Sequence, residues 1–121
     1  MLIDDDHGEA YFVKDAMVAR GITNSFEYFD NWKYALEYIK NKTPDLPDII
    51  MVDLVFNGAL EFDNFNRMAE LTQFSESRSV LYSTMLPDWD IEKLFLGKHF
   101  KFIRKGVSVD QLEQNIVDVL K

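Results

Sequence analysis

Four apolar residues in a row, Ile49-Ile50-Met51-Val52, run without a break into Asp53. A strand with one wet face alternates apolar and polar residues. A strand without that alternation is buried on both faces, as interior strands of a parallel sheet are. Parallel neighbours cannot be joined by a tight turn, so such a strand obliges the chain to supply crossover helices. The rest of the chain reads accordingly. Short apolar runs at Met1-Leu2-Ile3, Val80-Leu81-Tyr82 and Phe100-Lys101-Phe102-Ile103, with an alternating segment from Asn24 to Phe29, are further strands.

Between the strands lie stripes at helical spacing. Phe12, Val13, Ala16 and Met17 form the first, ended by Gly21 as a left-handed residue just past the helix. Trp32, Ala35, Leu36 and Ile39 form the second, broken by the loop from Asn41 to Pro47. Phe65 and Met68 with Leu71-Thr72 form the third, after a loop containing Asn57-Gly58. A fourth opens near Asp88, after Pro87, and carries Ile91, Leu94 and Phe95. The last shows Val109, Leu112, Ile116 and Val119 behind Ser108 and Gln111, a capping-box pair. The order is (βα)5. It predicts an α/β fold, a doubly wound five-stranded parallel sheet covered on both faces. A chain of 121 residues supports one such domain, over residues 1–121, and not two.

Twenty-one acidic residues against 13 basic ones give a net charge of −8, and no basic run interrupts it. Nucleic acid is repelled by such a chain, while a divalent cation or a basic protein surface suits it. The absence of Cys rules out disulfides, thiol catalysis and Cys-ligated metals. The apolar runs fall far short of a membrane span and Met1-Leu2-Ile3 leads straight into Asp4, so no membrane association and a cytoplasmic location are expected. The first strand begins so close to Met1 that a few native residues are expected to be missing ahead of it.

Ligands of open α/β sheets gather at the carboxyl ends of the strands. Asp4, Asp5 and Asp6 end the first strand, Asp53 the third, Ser83 the fourth and Lys105 the fifth. Each has a plainer reading alone. The aspartate run could cap the first helix, Asp53 could be a loop residue, Lys105 a solvated charge, and Ser83 a hydroxyl satisfied by backbone; His7 reads as an exposed loop residue. Their ordered placement argues for more. Converging carboxylates repel unless a cation neutralises them, and an all-oxygen set suits Mg²⁺ or Mn²⁺. A carboxylate nucleophile, a metal, a fixed cation and a hydroxyl donor together suit phosphoryl transfer to Asp53.

The acidic cluster after strand one, Pro47-Asp48-Ile49-Ile50-Met51-Val52-Asp53, Val80-Leu81-Tyr82-Ser83 and Phe102-Ile103-Arg104-Lys105 resemble, in this order, the response-regulator receiver family of two-component signalling. Asp53 to Ser83 spans 30 residues and Ser83 to Lys105 spans 22, as in such domains. The resemblance covers essentially the whole chain. It implies a flavodoxin-like three-layer αβα fold with strand order 2-1-3-4-5. It implies Asp53 as phosphoacceptor, Ser83 contacting the phosphoryl oxygens and Lys105 pairing with one of them. The metal would be held by Asp4, Asp5, Asp53 and the backbone carbonyl of Val55, with Asp6 the alternative in register. Phe102 matches the switch aromatic that moves with Ser83, altering the surface of the fourth helix, fifth strand and fifth helix. Several positions depart from the family: Phe56-Asn57 replaces Met-Pro, Glu61 replaces Gly, Thr84 replaces Ala and Gly106 replaces Pro.

A stand-alone receiver is therefore expected, with no output domain, phosphorylated by a histidine kinase or histidine phosphotransfer protein and read by a downstream protein. It would be a monomer or a phosphorylation-dependent dimer. It would catalyse its own phosphorylation and dephosphorylation without turning over a separate substrate, and so is not expected to be an enzyme. Val55 and Met85, two residues past Asp53 and Ser83, would shield the acyl phosphate and slow its loss. One alternative keeps the fold as a docking module without phosphorylation, motivated by Phe56-Asn57 and Glu61. Another is an aspartyl-phosphate hydrolase built on Asp4 and Asp6, which His7-Gly8 do not support.

Overall fold

The computed structural model describes residues 1–23, 25–42, 45–53, 55–72, 78–84 and 100–120. Met85 and the helix expected from Asp88 through Phe95 lie outside them. Seven strands are present among the described residues: β1 (Leu2–Ile3), β2 (Tyr28–Phe29), β3 (Ile49–Val52), β4 (Val55–Phe56), β5 (Ala59–Leu60), β6 (Arg78–Ser83) and β7 (Phe100–Arg104). The helices are α1 (His7–Ala19), α2 (Trp32–Lys42), α3 (Phe62–Thr72) and α4 (Val109–Leu120). Five strands form one all-parallel sheet in the order β2-β1-β3-β6-β7. With the β4–β5 hairpin set aside, this is the expected order 2-1-3-4-5 and the flavodoxin-like arrangement.

Adjacent residues of the inner strands feed different cores, which is why these strands carry no polar face. Ile3, Ile50, Val52 and Leu81 pack with Trp32, Ala35 and Ile39 of α2 and Phe65 and Met68 of α3. Leu2, Met51, Val80, Tyr82 and Ile103 pack on the other side with Val13 and Ala16 of α1 and Leu112, Ile116 and Val119 of α4. The ladder between β1 and β3 continues past the assigned strands: Met1 N donates to Ile49 O, and Asp53 N–H donates to Ile3 O.

The structure corrects four readings of the sequence. Of the strand expected over residues 24–29, the described residues form a strand only at Tyr28–Phe29, and Asn24 lies outside the described residues. In α3 the buried face is Phe65, Met68 and Thr72, whereas Leu71 is exposed. Positions i, i+3 and i+7 share a helix face, and i+6 lies well off it. In α4 Val109 is exposed and Glu113 is buried beside Leu112, Ile116 and Val119. Glu113 Oε1 lies 3.5 Å from Arg20 Nε, which gives the buried carboxylate a charged partner. The segment around Asn57-Gly58 is not an open loop but an antiparallel hairpin, with Phe56 opposite Ala59. Asn57 and Gly58 have φ of 51° and 79°, the two positive values that a tight hairpin turn requires.

Candidate functional site: a carboxylate cluster bridged by Lys105

The three consecutive aspartates part company because the chain leaves the sheet as it passes through them. Asp4 follows β1 and is fully buried; Asp5 is half-buried at the rim; Asp6 is exposed. Asp6 is the N-cap of α1, its Oδ1 accepting from Gly8 N–H at 2.9 Å, a use that satisfies one of the helix's free amides. Its own N–H donates to Asp4 Oδ1 at 2.9 Å. Helix capping, one plain reading of the run, thus holds for Asp6 alone.

Pairing of Ile3 with Val52 sets Asp4 and Asp53 side by side at the carboxyl edge of the sheet. One carboxylate oxygen from each of Asp4, Asp5 and Asp53 lies within 4.8 Å of the other two, and Asp6 is not in this group. The group is the expected Asp4 and Asp5 pair with Asp53, and Asp6, the alternative in register, caps α1 instead. Lys105 Nζ bridges two members, 2.7 Å from Asp4 Oδ2 and 2.6 Å from Asp53 Oδ2. The contact with Asp53 is a hydrogen bond. The contact with Asp4 is a close ion pair to its buried Oδ2. Asp53 Oδ1 accepts from Val55 N–H at 2.9 Å, and Asp5 Oδ2 accepts from Asn57 N–H at 2.8 Å. The hairpin is thus tied to the cluster at two points.

The charges respond to this placement. Burial pushes the Asp4 carboxyl up to about 6, although Lys105 and the Asp6 N–H pull the other way. Burial also pushes the Lys105 ammonium down, but Asp4 and Asp53 outweigh it and the group ends above its ordinary value. Lys105 is therefore a fixed cation.

Ser83 ends β6 and is buried, and its carbonyl accepts from Lys105 N–H at 2.9 Å. This backbone bond places the serine and the lysine on adjacent strand ends. Phe102 lies opposite Leu81 on β7 and is 37% exposed. Val55 enters the site through its N–H. Gly106, where Pro would stand, has φ of 78°, which no proline can adopt. Glu61 accepts the Phe65 N–H through its carbonyl and an Asn64 amide through its side chain, so it starts α3. Sequence reasoning missed Asn57, whose contribution is a backbone N–H and so leaves no trace in residue type. It also missed that the Tyr82 hydroxyl donates to Glu9 and that Lys105 Nζ lies over the Tyr82 ring. A phenol inside an apolar strand was the available signal, because a buried hydroxyl must find a partner.

Three carboxylate oxygens within 4.8 Å of one another, with one ammonium among them, fit a small divalent cation of the Mg²⁺ or Mn²⁺ kind. No described helix is long and apolar enough to cross a membrane.

No family model matches the chain, and no curated protein matches it by sequence. Solved structures do. A response regulator receiver protein from Dyadobacter fermentans aligns with a TM-score of 0.72 at 19% identity, covering 98% of this chain and 94% of its own. The receiver domain of a response regulator, NarL, from Mycobacterium tuberculosis aligns with a TM-score of 0.68 at 22% identity, over 98% and 91%. The response regulator domain of Thermotoga maritima CheB gives 0.71 at 16%, over 98% and 90%. With its sheet order, its paired acidic strand ends and these neighbours taken together, the chain has the fold of the response-regulator receiver domains.

Proposed function

We propose that the chain is a phosphoacceptor of a two-component pathway, with Asp53 taking a phosphoryl group from a phosphohistidine donor. One observation carries the reading: Lys105 Nζ lies within 2.7 Å of both Asp4 and Asp53, beside a third carboxylate at the carboxyl edge of the sheet. A structural ion pair needs one carboxylate. One ammonium shared between two carboxylates, with a third nearby, leaves surplus negative charge that calls for a further cation, and an ammonium with a metal beside it is the pair of charges a phosphoryl group needs.

In the reaction an Asp53 carboxylate oxygen attacks phosphorus. The phosphorus–nitrogen bond breaks, and its electron pair goes to the departing imidazole nitrogen, which takes up a proton. Asp53 is held for this by the Val55 N–H on its other oxygen. Lys105 passes from the Asp53 oxygen to a phosphoryl oxygen, and the Ser83 hydroxyl donates to another. A divalent cation held by Asp4, Asp5, Asp53 and the Val55 carbonyl would neutralise the charge gathering on the phosphoryl oxygens. The donor is a histidine kinase or a histidine phosphotransfer protein, and the output is binding of a downstream protein. The chain acts on itself and turns over no separate substrate.

Incubation with Mg²⁺ and acetyl phosphate tests this. Native protein should gain acid-stable, hydroxylamine-labile phosphate, and Asp53→Asn should gain none. Equal labelling of both, or of neither, removes the proposal.

A further inference from the structure

Tyr82 stands one residue before Ser83, fully buried on the α1 and α4 side of the sheet. Its neighbours along β6, Val80 and Leu81, fill space with no polar atom. A phenol at this depth brings a hydroxyl that has to be satisfied. The structure satisfies it across 73 residues: the Tyr82 hydroxyl donates to Glu9 Oε2 in the first turn of α1. The ring is also engaged. Lys105 Nζ lies over it, 5.3 Å from the centroid. The ammonium thus has Asp4 on one side, Asp53 on another and the face of Tyr82 on a third, with the lysine side chain only 8% exposed.

We propose that Glu9 and Tyr82 form a support that positions Lys105 for phosphoryl transfer; this rests on the phosphoacceptor reading above. A lysine head on its four-carbon stem is free to rotate, and Lys105 has to leave one Asp53 oxygen and meet a phosphoryl oxygen without escaping into water. Carboxylate bonds are directional and hold it at one point. The attraction of a cation to an aromatic face is broad, so the ammonium can swing across the ring and stay bound. The Glu9 carboxylate strengthens that face, because a phenol donating to a negative acceptor holds more electron density in its ring. It also fixes the ring plane by tying it to α1. Glu9 and Tyr82 touch no reacting atom. They are positioning residues acting through Lys105.

The test is the rate of labelling of the full chain by acetyl phosphate with Mg²⁺. Tyr82→Leu, Tyr82→Phe and Glu9→Gln are each measured alone and together with Lys105→Ala. Tyr82→Leu should slow labelling about tenfold, and Tyr82→Phe, which keeps the ring, should recover most of that loss. Glu9→Gln should slow it by about threefold. In the Lys105→Ala background the same three substitutions should have no effect. A second measurement needs no phosphate. The acetylation rate of the Lys105 amine, read by mass spectrometry, should rise in Tyr82→Leu while that of exposed Lys14 stays constant. If Tyr82→Leu does not fold, Tyr82→Phe and Glu9→Gln decide. If Lys105→Ala takes no label, the acetylation rate decides. Equal slowing with and without Lys105, or an unchanged Lys105 acetylation rate, overturns the support. Absence of any label in native protein instead overturns the phosphoacceptor reading, and the support falls with it.

Discussion

Asp4 keeps a carboxylate where no solvent reaches it, and the cost shows in a pKa raised to about 6. An acid whose folded-state pKa lies above its unfolded value costs nothing where both states are protonated. It costs progressively more as the pH climbs from about 4 to about 6, and the full amount above that. Asp4→Asn should therefore raise the melting temperature at pH 7.5 by about 5 °C. The gain should shrink toward zero as the pH is lowered through that window, because the native carboxyl then takes up its own proton. A gain that is constant with pH would mean that packing, not charge, is the cause. Lys105 still has Asp53, 2.6 Å away in the native chain, as a partner after the change. At this scale the sequence was legible where a position at a strand end was enough. Asp53, Ser83 and Lys105 could be placed from their strand ends alone. Asp4 and Asp5 were expected ahead of Asp6 and do cluster with Asp53, but that Asp6 caps α1 depends on where the backbone turns from sheet to helix, which three identical side chains do not reveal.

The element that most distinguishes this site is the β4–β5 hairpin. Its turn needs positive φ at both Asn57 and Gly58, and a side chain at Gly58 would meet no neighbour, so the cost of adding one is purely conformational. Gly58→Ala should lower stability by about 1 kcal/mol, measured by urea unfolding. Because Asn57 N–H holds Asp5 Oδ2, the same substitution should also weaken Mg²⁺ binding although it removes no ligand. Titration calorimetry checks this; unaltered affinity would show the hairpin to be independent of the cluster. Asn57-Gly58 was readable as a turn. The pairing on either side was not, since two-residue strands are too short to show a period. In α3, the adjacent pair Leu71-Thr72 hid which of the two faces inward. Thr72 does, and its hydroxyl bonds the Met68 carbonyl one turn back, which lets a polar residue take a core position.

For the molecule as a whole, a cation held at the cluster would be linked to folding. The carboxylates converge only when β1 and β3 pair, so a cation that binds them binds the folded state and not the unfolded one. Mg²⁺ at about 100 times its dissociation constant should add about 2.7 kcal/mol of stability. Asp5→Asn should remove most of that increment while leaving stability without the cation nearly unchanged, since Asp5 sits at the rim. A shift in melting temperature with added Mg²⁺ that Asp5→Asn does not reduce would put the cation elsewhere. The global fold was the most legible level of all. The unbroken run Ile49–Val52 demanded two covered faces, and the two cores on either side of the sheet are the physical form of that demand. One further consequence follows from the bond between Asn57 and Asp5. A carboxylate tethered by a backbone amide cannot swing outward to follow a larger ion. Mg²⁺ draws its oxygens to about 2.1 Å and Ca²⁺ needs about 2.4 Å and more ligands. With a cation at the cluster, the hairpin would then act as a gauge of ionic radius, and loosening it should let calcium compete.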